Sequence, residues 1–198
     1  GDHKGQADTW RELGFAFQSL EQYEQAIESH QQAVAINREM GNRSGEAASL
    51  INLGIVFDSL KQYGQAIELY QEGLLIAQQV SHRCWAANAL HNLGLAYYAL
   101  GQNQKAIEYH QQALTNYREI DDKEDVARSL NHLGKVYSSL GQDQDAIECF
   151  QHSLTICREI GDRLGEAKAR SFLGDAYSSL GEYQKAIEYH EQSLTLGW

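Results

Sequence analysis

Proline is absent from this 198-residue sequence, and cysteine occurs only three times. Without proline, no helix in the chain has to end or kink at one. The cysteines, Cys84, Cys149 and Cys157, are odd in number and lack the spacing of a metal site, so we interpret them as reduced thiols of a cytoplasmic protein. No apolar run approaches the roughly 18 residues of a membrane-spanning helix, and no charged segment followed by an apolar one marks a secretory signal. These absences predict a soluble chain without membrane insertion.

Positive charge is also scarce. The chain has 16 Lys and Arg against 27 Asp and Glu, which gives a net charge of −11. Nucleic acids and anionic membranes are held mainly through basic side chains, so neither is an expected partner. Hydrophobic residues make up 42% of the sequence, enough at this length to build one sizeable domain.

The motifs of enzyme sites are missing too. There is no glycine-rich phosphate loop, no His-Glu-x-x-His, no nucleophile elbow and no Cys-x-x-Cys. Cys149 and His152 could meet on a helix as a thiol–imidazole pair, but we favour a half-buried cysteine beside a surface histidine. The acidic stretch 121–125 lacks the glycine and terminal glutamate of a calcium loop and fits a helix start better. The sequence predicts no enzyme, no metal and no cofactor.

The sequence is built from an internal repeat of 40 residues. Gly-Asp-Arg-Leu-Gly-Glu-Ala at 161–167 recurs in closely related form at 41–47 and 1–7, and diverged copies begin at Ser81 and Asp121. Leu-Gly and Ala-Ile-Glu recur at the same offset without any insertion. Because repeats of this length stack on their neighbours, we predict a single solenoid domain, 1–198, made of the copies 1–40, 41–80, 81–120, 121–160 and 161–198.

Each copy has the pattern of two amphipathic helices, and no segment resembles a strand. In helix A the apolar and small residues follow a 3-4 spacing, as in Ala47, Leu50 and Leu53, and helix B has a broader apolar face. A glycine inside a helix costs about 1 kcal/mol against alanine, so the glycine after the helix A leucine predicts close approach of a neighbouring helix. The fold class predicted is an all-α solenoid of five antiparallel helix pairs. The same position of helix B is occupied by His30, His110 and His190. We interpret these histidines as buried packing residues rather than metal ligands.

The first copy reads Trp10-x2-Leu13-Gly14-x2-Phe17 and then Ala26-x3-His30. This resembles the signature of the tetratricopeptide repeat (TPR). Two features differ: the period is 40 rather than about 34 residues, and arginine or glutamine stands where the closing proline is expected, so helix B can run further. The 40-residue form resembles the TPR arrays of LGN/Pins cell-polarity adaptors and of bacterial, notably cyanobacterial, proteins. The resemblance implies a right-handed superhelix with helix A on its inner face.

That resemblance also implies which side chains would face the groove, namely copy positions 8, 11, 12, 15 and 18 of helix A. We expect packing to leave these positions free, and they are where the copies differ most. The candidate peptide-binding residues are Arg11, Phe15, Ile51, Asn52, Ile55, His91, Asn92, Leu95, Arg128, Asn131, His132, Lys135 and Lys168.

Three groups within this set suggest a peptide ligand. Asn52 and Asn92 share one copy position, and a side-chain amide can both donate to and accept from a peptide backbone. Exposed apolar side chains in a groove favour a partner's side chains, and the set offers Phe15, Ile51, Ile55 and Leu95.

The third group is basic. Arg128, His132 and Lys135 follow one helix face, with Lys168 one copy further on, which would suit a carboxylate of the ligand. The alternative is that Glu124, four residues before Arg128, neutralises that arginine locally.

We therefore predict a protein-interaction module that binds a peptide or partner segment in its concave groove. The alternative is a regulatory or oligomerisation arm of a larger enzyme or NTPase without a peptide ligand of its own. The sequence starts at a repeat junction without methionine and ends inside the fifth helix B, so we expect a piece of a longer protein. A monomer is slightly favoured over an oligomer.

Overall fold

In the computed structural model, which describes residues 3–196, the chain forms ten α-helices joined by short turns. Odd-numbered helices are helix A of each repeat and even-numbered helices are helix B. Their bounds are α1 His3–Ser19, α2 Tyr23–Glu39, α3 Arg43–Ser59, α4 Tyr63–Gln79, α5 Arg83–Ala99, α6 Asn103–Glu119, α7 Lys123–Ser139, α8 Asp143–Ile160, α9 Arg163–Ser179 and α10 Tyr183–Leu196. No strand occurs within these residues.

The repeated junction motif is a helix N-cap. The side chain of Asn42 accepts a hydrogen bond from the Gly45 amide at 3.1 Å, and Asp162 does the same for Gly165 at 2.9 Å. Asp122 caps α7 in this way, which confirms that the acidic stretch 121–125 is a helix start. These caps explain why α3, α7 and α9 begin at the same copy position.

The chain divides into two compact units, residues 1–101 and 102–198, which we call the N-terminal and C-terminal units. In the N-terminal unit each of α1 to α4 packs against the next helix, and α3 also contacts α5. In the C-terminal unit the same holds from α6 to α10, and α7 also contacts α9. Successive packing of helix pairs confirms the predicted all-α, TPR-like solenoid fold.

The repeated helix A glycine lies against the aromatic position of its own helix B. A Cβ added at Gly54 would lie 2.6 Å from Tyr70, and one added at Gly134 would lie 2.5 Å from Phe150. His30 fills the same space beside Gly14. The predicted close approach is confirmed, and its cause is that a large ring crosses the glycine where any side chain would collide with it.

The three histidines at this position differ in exposure. His30 and His110 are fully buried, as interpreted from the sequence. That interpretation is wrong for His190, whose side chain is 42% exposed on α10. No further helix within residues 3–196 packs over α10, so its outer side remains open.

Arginine at the position of the missing proline forms an ion pair with the next repeat. Helix α2 continues through Arg38, whose Nε lies 2.7 Å from a carboxylate oxygen of Glu46 in α3. The same pair recurs in the C-terminal unit between Arg158 and Glu166 at 2.8 Å. The predicted extension of helix B is therefore confirmed, and the two arginines bind the glutamate of the junction motif.

Candidate peptide-binding faces

The apolar candidates of the N-terminal unit differ in how far they reach the surface. Phe15 is exposed and its ring meets that of His30 edge-to-face with 5.4 Å between centroids. Ile55 and Leu95 are half-buried. Ile51, by contrast, is fully buried, and a Cβ added at Gly73 would lie only 2.9 Å from it. The expectation that packing leaves Ile51 free is wrong, because α4 presents a glycine there and the isoleucine fills the space.

Asn52 lies on the same helix as Ile55 and is only 5% exposed. Within residues 3–196 its Nδ2 has no hydrogen-bond partner. A buried donor without a partner costs about 1–3 kcal/mol, so a ligand carbonyl that reached this amide would be bound favourably. The equivalent Asn92 is half-buried and more accessible to a ligand.

Two other candidates of this unit are already engaged. Arg11 pairs with Asp8 at 3.0 Å and with Glu12 at 3.3 Å, so its charge is largely neutralised within its own helix. His91 is buried in α5. The part of the predicted face that remains open in the N-terminal unit is formed by Phe15, Ile55, Asn92 and Leu95, with the Asn52 amide below the surface.

In the C-terminal unit the basic candidates are near one another. Burial, with the positive charges of Lys135, Arg128 and Lys168, lowers the pKa of His132 to about 4. His132 is therefore neutral at pH 7, and its ring stacks on that of His110 with 6.0 Å between centroids. Lys135 places its Nζ 4.4 Å from the centre of the Phe172 ring.

Arg128 has a local acidic partner, although not the one considered from the sequence. Its Nη2 lies 2.5 Å from Asp125 rather than near Glu124. The side chain remains half exposed, so part of the guanidinium still faces solvent. A ligand carboxylate would share Arg128 with Asp125.

A cavity of about 190 Å³ brings three of the candidates together in the C-terminal unit. Arg128 and Asn131 of α7 and Lys168 of α9 line it. Asn131 is buried, and its Oδ1 has no hydrogen-bond partner among the described residues. The remaining lining residues are Glu124, Ala127, Cys157, Asp162, Leu164 and Gly165.

Sequence reasoning missed the contribution of Cys157 and Asp162 to this cavity. Both are occupied structurally, since Asp162 caps α9 and its Oδ2 lies 3.9 Å from the Cys157 sulfur. The capping aspartate of the junction motif could have indicated this contribution. A capping side chain lies beside the start of its helix, and the start of α9 forms one wall of the cavity.

In the thiol–imidazole pair considered from the sequence, the thiol belongs to a core residue. Cys149 is buried, and this burial, with Asp145 and Glu148 nearby, raises the pKa of its thiol to about 11. His152 is exposed on the same helix. Cys149 stays protonated at neutral pH and packs as a small apolar residue.

Within residues 3–196, no helix is both long and apolar enough to cross a membrane.

Comparison with known proteins identifies the repeats. The sequence profile of the tetratricopeptide repeat matches residues 5–79, 85–159 and 125–196. The chain is similar to a structure from Podosopora anserina described as a kinesin light chain with nearly identical TPR-like repeats, at 24% identity and a TM-score of 0.82, covering 99% of this chain and 96% of that one. A comparison with curated proteins found no match.

Two further structures share the fold at lower identity. Aspartyl phosphate phosphatase F from Bacillus subtilis has 16% identity and a TM-score of 0.82, covering 99% of this chain and 61% of that one. A Rap protein complexed with competence and sporulation factor has 17% identity and a TM-score of 0.81, covering 96% of this chain and 54% of that one.

Proposed function

The chain belongs to the tetratricopeptide repeat family, and we propose that it is a protein-interaction module whose helix A faces bind a peptide or partner segment. The observation that carries this proposal is the buried amide of Asn52, whose Nδ2 has no partner within residues 3–196. A structure rarely leaves such a donor unpaired without a reason, and a peptide carbonyl would satisfy it. Nucleic acid is not an expected partner of a chain with a net charge of −11.

The apolar side chains beside this amide define what the ligand should carry. Phe15, Ile55 and Leu95 are each at least partly exposed on odd-numbered helices. Apolar side chains of the ligand would bury this surface while its backbone bonds to Asn52 and Asn92. The Rap protein solved in complex with competence and sporulation factor has the same fold, which supports a ligand-binding role for such repeats.

The C-terminal unit favours an acidic residue of a ligand. Lys168 is exposed and lines the cavity, and Lys135 contacts an aromatic ring. Together with the partly exposed Arg128 they would attract a ligand carboxylate, and Asn131 Oδ1 would accept a nearby ligand N–H. Because Glu124 and Asp162 also line the cavity, this attraction should be modest.

A peptide library displayed against the chain tests the proposal. Asn52→Ala combined with Asn92→Ala should weaken the selected peptides by about 2 kcal/mol, roughly thirtyfold in Kd, with unchanged helicity. The matched control is Asn116→Ala, which removes an amide on helix B that already bonds to the Gln112 carbonyl. Peptides that bind the double variant as well as the wild type but are lost on changing Glu68 and Glu108 of helix B would show that binding occurs on the opposite side.

A further inference from the structure

Asp58 in α3 is a carboxylate for which residues 3–196 provide no partner. Its side chain is half-buried, and its Oδ1 is buried without a hydrogen-bond donor among those residues. Burial raises the pKa of this carboxyl, and no cation of the described residues lowers it again. Because an unpaired charge is costly to bury, Asp58 needs an explanation outside the packing of the chain.

The repeat fold does not require a carboxylate at this position of helix A. The equivalent residues of the other four repeats are uncharged, namely Gln18, Tyr98, Ser138 and Ser178. These repeats form the same helix pair without an acid at this place. The charge of Asp58 therefore belongs to what the second repeat contacts rather than to how it folds.

Asp58 continues a row of side chains that begins with the unpartnered amide of Asn52. Asn52, Ile55 and Asp58 follow one another at intervals of three residues, which places them side by side on one ridge of α3. The ridge presents a donor without an acceptor, a half-buried apolar side chain, and an acceptor without a donor. Residues 52 and 58 are roughly 9 Å apart along the helix axis.

We propose that this ridge of α3 binds a lysine or arginine side chain of the peptide ligand, with Asp58 as the counter-ion. The inference rests on the proposed function and adds a charge requirement to it. Basic side chains carry a flexible chain of methylene groups that ends in a cation. A backbone carbonyl of the ligand bonds to Asn52, the methylene groups lie on Ile55, and the cation reaches the carboxylate.

The electrostatics of the chain favour a basic ligand residue at two distances. The net charge of −11 attracts a cationic peptide from solution and should speed its association. Close to α3, the charge of Asp58 acts on the buried Tyr70, whose pKa is raised by burial and by this aspartate. An ion pair formed in such partly buried surroundings is screened less than one on an open surface. Added salt should therefore slow association more than it speeds release.

Peptides selected from a library against the wild type test the proposal, because they should contain a lysine or arginine. Each is then compared with a neutral version in which norleucine replaces the lysine or citrulline replaces the arginine. By isothermal titration, the wild type should bind the basic version about tenfold more tightly than the neutral one. Asp58→Asn should bind both versions equally, at about the affinity of the wild type for the neutral one.

The matched control is Glu68→Gln, which removes the same charge from an exposed position of α4 and should keep the preference for the basic peptide. Asp58→Asn should retain the helical circular dichroism and the urea midpoint of the wild type, because no described residue bonds to the buried oxygen. A clear loss of stability would assign Asp58 a structural role and overturn the inference.

The other outcomes separate this inference from the proposed function. Selected peptides without basic residues overturn the inference, and so does a preference that persists in Asp58→Asn or disappears equally in Glu68→Gln. If those peptides still weaken when Asn52 and Asn92 are changed to alanine, the proposed function stands without the charge requirement. A library that yields no binder overturns both.

Discussion

Each of the two units has the same glycine-against-ring packing in its own core, and the units differ at their helix A faces. Tyr70 crosses Gly54 in the N-terminal unit in the same way as Phe150 crosses Gly134 in the C-terminal unit. The open surface of helix A is apolar and amide-bearing in the first, around Phe15, and cationic in the second, around Lys168. Where another helix packs against a residue, only a side chain of matching size and shape fits. Residues that face outward have no such restriction and can differ between repeats according to the ligand.

The largest effect should follow from filling the space beside the helix A glycine. Gly54→Leu in the N-terminal unit and Gly134→Leu in the C-terminal unit should each lower the free energy of unfolding by about 3 kcal/mol, because the ring opposite cannot move out of the core. Urea unfolding measures both. Gly64→Ala is the control, since nothing lies within 4 Å of its added Cβ and the helix should gain stability. A large cost at only one glycine would mean that the two units do not share this packing.

Acid should destabilise both units through their buried histidines. Burial lowers the pKa of His30 to about 4 and that of His110 to about 3, whereas an unfolded histidine titrates near pH 6.5. The folded pKa is depressed, so each contribution is complete above about pH 6.5 and is lost as the pH falls toward the folded value. Between pH 7 and 5 the loss should be about 2 kcal/mol for each histidine.

Substitutions borrowed from sister repeats isolate the two contributions. His30→Tyr and His110→Phe introduce the residues found at the equivalent positions, Tyr70 and Phe150. Each should flatten the dependence of the unfolding free energy on pH in this range, as followed by chemical denaturation at a series of pH values. An unchanged slope in both variants would show that carboxylates, not these histidines, govern the acid response.

The junction glutamates offer a smaller comparison. Glu46 is 1% exposed and binds both Arg38 and Arg43, whereas Glu166 is 14% exposed beside Arg158 and Arg170. Glu46→Gln should cost about 1–2 kcal/mol and Glu166→Gln less than about 1 kcal/mol, because the more buried carboxylate depends more on its partners. Thermal unfolding of the two variants side by side measures the difference. Equal losses would mean that burial of Glu46 adds nothing to its ion pairs.

The smallest effect concerns ligand charge. Lys168→Glu should weaken binding of acidic peptides by no more than about 1 kcal/mol and leave neutral peptides unaffected, because this lysine is exposed and screened by salt. Isothermal titration with a matched pair of peptides that differ in one glutamate measures this. An equal loss for both peptides would assign Lys168 a structural role and remove the charge preference from the C-terminal unit.

Much of the fold could be predicted because the repeat encodes it locally. The 40-residue period and the 3-4 spacing of apolar residues predicted ten helices, and residues 3–196 contain them. The interpretation of His190 as buried was wrong because burial depends on a following helix, which a repeat position does not report. Arg128 was matched with Glu124 on sequence spacing, but the side chain turns to Asp125, three residues away on the same helix face.

The sequence by itself determined which residues form helices, which side of each helix is apolar and where glycine is obligatory, since these follow from spacing within one helix. Only the tertiary structure decided that Ile51 fills the space above Gly73, that the Asn52 amide is buried without a partner, and that Arg38 crosses to Glu46. Each of these depends on what a second helix places opposite. Spacing along the chain fixes the direction of a side chain but not the atoms that meet it.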